Sequence, residues 1–133
     1  MHKDFARDFD SLTAIYEFAE KILAANEIGE AVRFPVHLAM EELFTNMVKY
    51  NPDTKGDIGV DVDVAAGKIT VMLSESGVDK FDVTKPVDVD TGASLEERSP
   101  GGLGLYLLQN IVDQLEYDYH DRRSRVIFTK ESE

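Results

Sequence analysis

The sequence has no cysteine, so a disulfide scaffold and a thiolate zinc site are both excluded. Basic residues are few: 14 Lys and Arg stand against 26 Asp and Glu, for a formal net charge of -12. A surface of that sign disfavours non-specific attraction to nucleic-acid phosphates or anionic lipid. It leaves plain solubility, basic proteins or a metal-chelated anion as its uses. No apolar run approaches the ~18 residues of a membrane span, and the charged opening MHKDFARDFD lacks the apolar stretch of a signal peptide. The expectation is a soluble, cytoplasmic protein that binds neither membrane nor nucleic acid directly. The Lys-Ser/Thr of a Walker phosphate loop is absent as well.

What is present suffices for one domain over residues 1–133, long enough to bury a core without metal or disulfide support. Leu12, Ile15, Tyr16, Ala19, Ile22 and Leu23 predict a first helix over Ser11 to Glu27, with Asp10 or Ser11 as its cap and an end near Asn26 to Gly29. Its face is either core cover or a surface for a partner or second copy. A second helix, entered near Phe34 and Pro35 and left near Asn51 and Pro52, carries LAMEELFTNMVKYN. Pro35 fits a first turn, where its missing N–H costs nothing. His37, near the start, has no second histidine at ligand spacing and reads as a packing or surface residue.

Alternation of Ile58, Val60, Val62 and Val64, then of Ile69, Val71 and Leu73, predicts two strands joined at Ala66-Gly67 as an antiparallel hairpin. The following stretch, about residues 76–100, lacks either periodicity and is rich in carboxylates, as expected of a lid or binding loop. Gly101-Gly102-Leu103-Gly104 then leads into an amphipathic helix running to about Leu115. Strands are expected over Glu116 to His120 and Arg125 to Lys130, and a short extended piece near Phe5 to Phe9. The fold class is α/β, a two-layer sandwich with helices on one face of a mixed, mainly antiparallel sheet.

Three local features carry chemistry. Glu42 and Asn46, one turn apart on the second helix, leave it on the same side. They are either a solvated face or a working pair, in which the amide oxygen ligates magnesium and the carboxylate takes a proton from an attacking hydroxyl. The glycines before the third helix either permit a sharp turn or let backbone N–H groups hold phosphate. Glu75-Ser76-Gly77 is either a plain turn or a strand end whose carboxylate accepts from an exocyclic adenine amine while Gly77 passes close to the base. Together the three divide the labour of handling Mg2+ and ATP coherently.

In this order, EELFTNMVKY, SESGVDKFD and LEERSPGGLGLYLLQNIVDQLEY resemble the N-box and two glycine boxes of the GHKL ATP-binding family, most of all the anti-sigma-factor serine/threonine kinases. The resemblance spans roughly Phe34 to Lys130 and implies a histidine-kinase-like ATPase fold. It implies Glu42 as catalytic base, Asn46 as magnesium ligand, Glu75 and Gly77 at adenine, and Gly101, Gly102 and Gly104 at the phosphates. Arg98, in the lid, would meet phosphate or pair with Glu96 or Glu97. The implied cofactors are ATP and Mg2+. The implied partners are an anti-sigma-factor antagonist protein and a sigma factor, with homodimerisation. The chain departs from the pattern at Glu75, where the family has Asp, at Lys80, which lengthens the spacing to Phe81, at Tyr50, often His, and in the glycine-free turn DRRSR.

Overall fold

A computed structural model describes residues 1–51, 54–84 and 102–132. The element order is β1 (His2–Phe5), α1 (Ser11–Ala25), α2 (Glu30–Tyr50), β2 (Ile58–Ala65), β3 (Lys68–Ser76), α3 (Gly102–Ile111), β4 (Gln114–His120) and β5 (Arg123–Glu131). The strands form one sheet in the order β1-β2-β3-β5-β4, and every pairing is antiparallel. The helices lie against one face of it, the α/β sandwich expected.

Alternation sets that arrangement. Val60, Val62, Val71, Leu73, Val126 and Phe128 turn to the helices and are buried, while their neighbours on each strand face the other way. Onto this surface α2 presents Val36, Ala39, Met40, Leu43, Phe44 and Met47, and α1 adds Ile15, Ala19 and Leu23. Leu105 and Leu108 complete the core from α3.

Several boundaries differ from expectation. The first strand is His2–Phe5 rather than a piece near Phe5 to Phe9, because the N-terminal residues pair in register with Ile58 to Asp61 of β2. Asp10 makes no capping bond to α1; the Ser11 hydroxyl donates instead to the Ala6 carbonyl. Helix α2 starts at Glu30, with Gly29 in the extended N-cap conformation and its carbonyl accepting from Val32 and Arg33. Pro35 therefore lies inside the helix, where it removes one intrahelical donor. Helix α3 stops at Ile111, since Asp113 N donates to Thr129 O and Gln114 already pairs with Thr129 in the sheet. The β4–β5 turn is Asp121-Arg122, both at positive φ (51° and 61°), a left-handed pair that suits a two-residue hairpin although neither residue is glycine. Strand β5 accordingly begins at Arg123, two residues before the expected start.

Two outcomes test this account. Phe44 is fully buried between α2 and the sheet, and Phe44→Ala should cost about 3–5 kcal/mol in urea unfolding. On the β1 edge, His2 Nε2 lies 2.9 Å from Asp4 Oδ1 and Nδ1 lies 3.0 Å from Asp61 Oδ2. The Asp61 hydrogen bond first, then that of Asp4, raises the His2 pKa above 6.5. The stabilisation is thus fully present below pH 6.5 and is lost as pH rises through the folded-state value. His2→Gln should lower the thermal midpoint in acid and converge on the parent protein in alkali.

Candidate functional site

Helix α2 is buried on its sheet face; Arg33, His37 and Glu41 line its groove with α1, while Glu42 and Asn46 stand on the side that α3 meets. A Cβ built on Gly104 would overlap the Glu42 carboxylate, whose Cδ lies 2.8 Å from that position. A side chain at Gly104 would have to displace that carboxylate from its place. One turn further along α2, Asn46 is 6% exposed. Its Oδ1 is buried and has no hydrogen-bond partner among the described residues. An orphan carboxamide oxygen in such a place is costly unless something else satisfies it.

The same margin continues into a small cavity of about 20 Å³, lined by Leu43, Asn46, Met47, Tyr50, Glu75, Asp79, Phe81 and Ser124 among others. That is room for about one water molecule. The Tyr50 and Phe81 rings stack beside it, centroids 4.3 Å apart at 27°. Glu75, at the end of β3, is engaged by Arg7: Nη1 donates to Oε1 at 2.7 Å, and both side chains are 5% exposed. Burial raises the Glu75 pKa, while the Arg7 hydrogen bond and charge act against that rise.

Gly77 follows at φ 72°, a conformation that L-residues rarely adopt. The segment after it is fastened from the β4–β5 hairpin. Arg122 Nη2 donates to Gly77 O at 3.2 Å, Arg122 Nη1 to Asp79 Oδ1 at 2.9 Å, and Val78 N to Arg122 O at 3.1 Å. Tyr119 Oη donates to Val78 O, the Tyr117 hydroxyl accepts from Phe81 N, and Gln109 of α3 donates to Val83 O. Residues 77–84, expected to begin a structureless lid, are therefore held against the sheet end and α3.

Of the residues singled out in the sequence, Glu42 and Gly104 are in contact, and Asn46 and Glu75 line one cavity, whereas Gly77, two residues after Glu75, is not part of its lining. Gly102 is the first residue of α3. Arg98, Gly101 and the remainder of the expected lid lie outside the described residues. His37 packs as expected, its Nε2 2.5 Å from Glu20 Oε2 and its ring 4.2 Å from that of Tyr16. It borders a wider groove of about 460 Å³ between α1 and α2, which contains none of the carboxylate, carboxamide and glycine set.

The site thus combines a carboxylate against the glycine-bearing start of a helix, an amide oxygen without a partner among the described residues, and a cleft at a strand end. Residues 5–130 match the family model of the histidine kinase-like ATPase domain. The chain belongs to that family. Within it, the chain is 31% identical over 99 residues to the serine-protein kinase RsbW of Listeria monocytogenes, an alignment covering 70% of this chain and 62% of the relative. To the RsbW of Bacillus subtilis it is 29% identical over 90 residues, covering 62% and 55%. The matched region is thus less than two thirds of these relatives' length. The fold is also that of the RsbU and RsbW domains of a Mycobacterium tuberculosis protein (TM-score 0.72, 12% identity, 99% of this chain and 32% of that one). A chain of the SiaB-SiaC complex from Pseudomonas aeruginosa matches equally well (TM-score 0.72, 14% identity, 97% and 88%).

This histidine kinase-like ATPase domain has two site residues that sequence reasoning missed. Arg7 precedes Glu75 by 68 residues and sits in a short charged segment with no periodic signal. Arg122 looked like part of a solvated charged turn; the only hint was the missing glycine. The contact between α2 and α3 in this site is made at Gly104. Gly104→Ala should push the Glu42 carboxylate aside, since the atoms it meets are the far end of a flexible side chain, and should change stability in urea unfolding by no more than about 1 kcal/mol, Ala being the better helix former.

Proposed function

We propose that this chain is an ATP- and Mg2+-dependent serine/threonine protein kinase that regulates a partner-switching pathway as an anti-sigma factor. The observation that carries the reading is the Glu42 carboxylate set against Gly104, with Asn46 Oδ1, without a partner among the described residues, one helical turn away. The protein substrate is an antagonist protein bearing a serine, and the sequestered partner is a sigma factor, with the chain acting as a cytoplasmic homodimer. Of the expected lid, about residues 76–100, the part beyond residue 84 serves as the ATP lid of a single domain spanning 1–133.

The donor set suits the ion. Magnesium takes hard oxygen ligands and keeps waters beside phosphate oxygens, and Asn46 offers such an oxygen, buried and otherwise unsatisfied. When bound, the metal neutralises charge on the phosphates. Glu42 accepts the proton of the substrate serine hydroxyl as its oxygen bonds to the γ-phosphorus. The bond from that phosphorus to the β–γ bridging oxygen breaks, and ADP departs with the electron pair. Backbone N–H groups of Gly101, Gly102 and Gly104 hold the phosphate chain, and Arg98 of the lid adds positive charge. Glu75 receives the adenine amino group, and Gly77 leaves space for the base.

A second reading, a partner-binding switch that holds nucleotide weakly and does not turn it over, draws on the 20 Å³ cavity and the Tyr50–Phe81 stack, which leave no room for a purine until the rings separate. The two readings part on one variant. Glu42→Gln should lower Mg2+-dependent phosphate transfer to the antagonist by about 100-fold or more while ATP affinity, measured by calorimetry, stays within about threefold. Absence of Mg2+-dependent transfer in the folded parent protein rejects the kinase and leaves the switch.

A further inference from the structure

Arg7 belongs to none of the proposed catalytic roles, yet its guanidinium is inserted beneath the base end of the cleft. Nε donates to Gly56 O at 3.1 Å, and Nη1 donates to Met47 O at 3.3 Å as well as to Glu75 Oε1 at 2.7 Å. Met47 directly follows Asn46 on α2, Gly56 leads into β2, and Glu75 is near the end of β3. One side chain thus joins the parts that wall the cleft. Its remaining nitrogen, Nη2, is buried without a partner among the described residues.

What Arg7 does to Glu75 matters because the two protonation states read a purine edge oppositely. A carboxylate only accepts hydrogen bonds, whereas the neutral acid can also donate one. An amino group at the purine 6-position suits the first, and a carbonyl there suits the second. Without a countercharge, a buried carboxyl moves toward its neutral form. Glu75 already feels that pull from burial, and Arg7 is the group opposing it.

We infer that Arg7 is a positioning residue for base selection, clamping Glu75 as an acceptor-only edge that admits a 6-aminopurine nucleotide and rejects a 6-oxopurine one. The inference rests on the nucleotide-binding reading above and adds to it a residue from the opposite end of the chain.

The test compares calorimetric affinities of the full chain for ATP and for inosine triphosphate, each with Mg2+, in the parent protein, Arg7→Met and Arg7→Lys. Triphosphate contacts are common to both nucleotides, so a merely structural loss lowers both affinities and leaves their ratio unchanged. The parent protein should prefer ATP by roughly tenfold or more, the worth of one charged hydrogen bond. Arg7→Met should bring the ratio to about one to three, and Arg7→Lys, which keeps the charge but not the fork, should fall between. If Arg7→Met does not fold, the Arg7→Lys ratio decides. A parent ratio near one, or a preference unchanged in the variants, overturns the inference while leaving nucleotide binding intact. Failure of the parent protein to bind either nucleotide overturns both.

Discussion

The closeness of α3 to α2 at Gly104 is the constraint on which the site depends. Helices usually pack about 8–10 Å apart, at a distance set by the side chains between them. Here one contact position has no side chain, and the Glu42 carboxylate takes the space. A charged group is thereby held against the first turn of a helix that also sends Leu105 and Leu108 into the core. The apolar packing fixes α3, and the missing Cβ lets a polar group share the interface. Asn46 sits on the same margin because four residues along an α-helix return to the same side.

At the other end of the cleft the governing interaction is ionic. Arg7 and Glu75 are both nearly inaccessible to solvent, and a buried pair is held together more by what breaking it would expose than by net attraction. Losing one partner of such a pair typically costs about 3–5 kcal/mol. The N-terminal segment is thus tied to the centre of the molecule, its neighbouring strand β1 being hydrogen-bonded along the sheet edge. The loop after β3 has a comparable anchor in Arg122, whose three contacts to residues 77–79 replace what a glycine turn would leave open.

These anchors leave the cleft at the end of β3 narrow. Tyr50 and Phe81 stack at its side, Arg7 engages the strand-end carboxylate, and the cavity left between them is about 20 Å³. Among the described residues, each end of the cleft keeps one buried polar atom without a partner, Asn46 Oδ1 on the α2 margin and Arg7 Nη2 beside Glu75. Membership of the histidine kinase-like ATPase family accounts for the shared framework. The Arg7 clamp and the Arg122 anchor are features read from this chain's own side chains.

Much of this was legible in the chain before folding, and the parts that were share a cause. Period-2 alternation in β2 and β3, the helical spacing in α1 and α2, and the i, i+4 placement of Glu42 and Asn46 are local, so a window of a dozen residues contains them. The errors were local readings overruled at a distance. Leu115 fits the periodicity of α3 but pairs with Phe128 in the sheet. Pro35 looks like a first-turn residue, but Gly29 starts the helix earlier. Sequence alone determined the α/β class, the helix that bears the polar pair and the glycines at the start of α3. Tertiary structure alone decided that Gly104 meets Glu42, that Asn46 Oδ1 has no partner among the described residues, and that Arg7 claims Glu75. Each of those is a contact between residues far apart in the chain, and no pattern of neighbours encodes which buried group a remote side chain will reach.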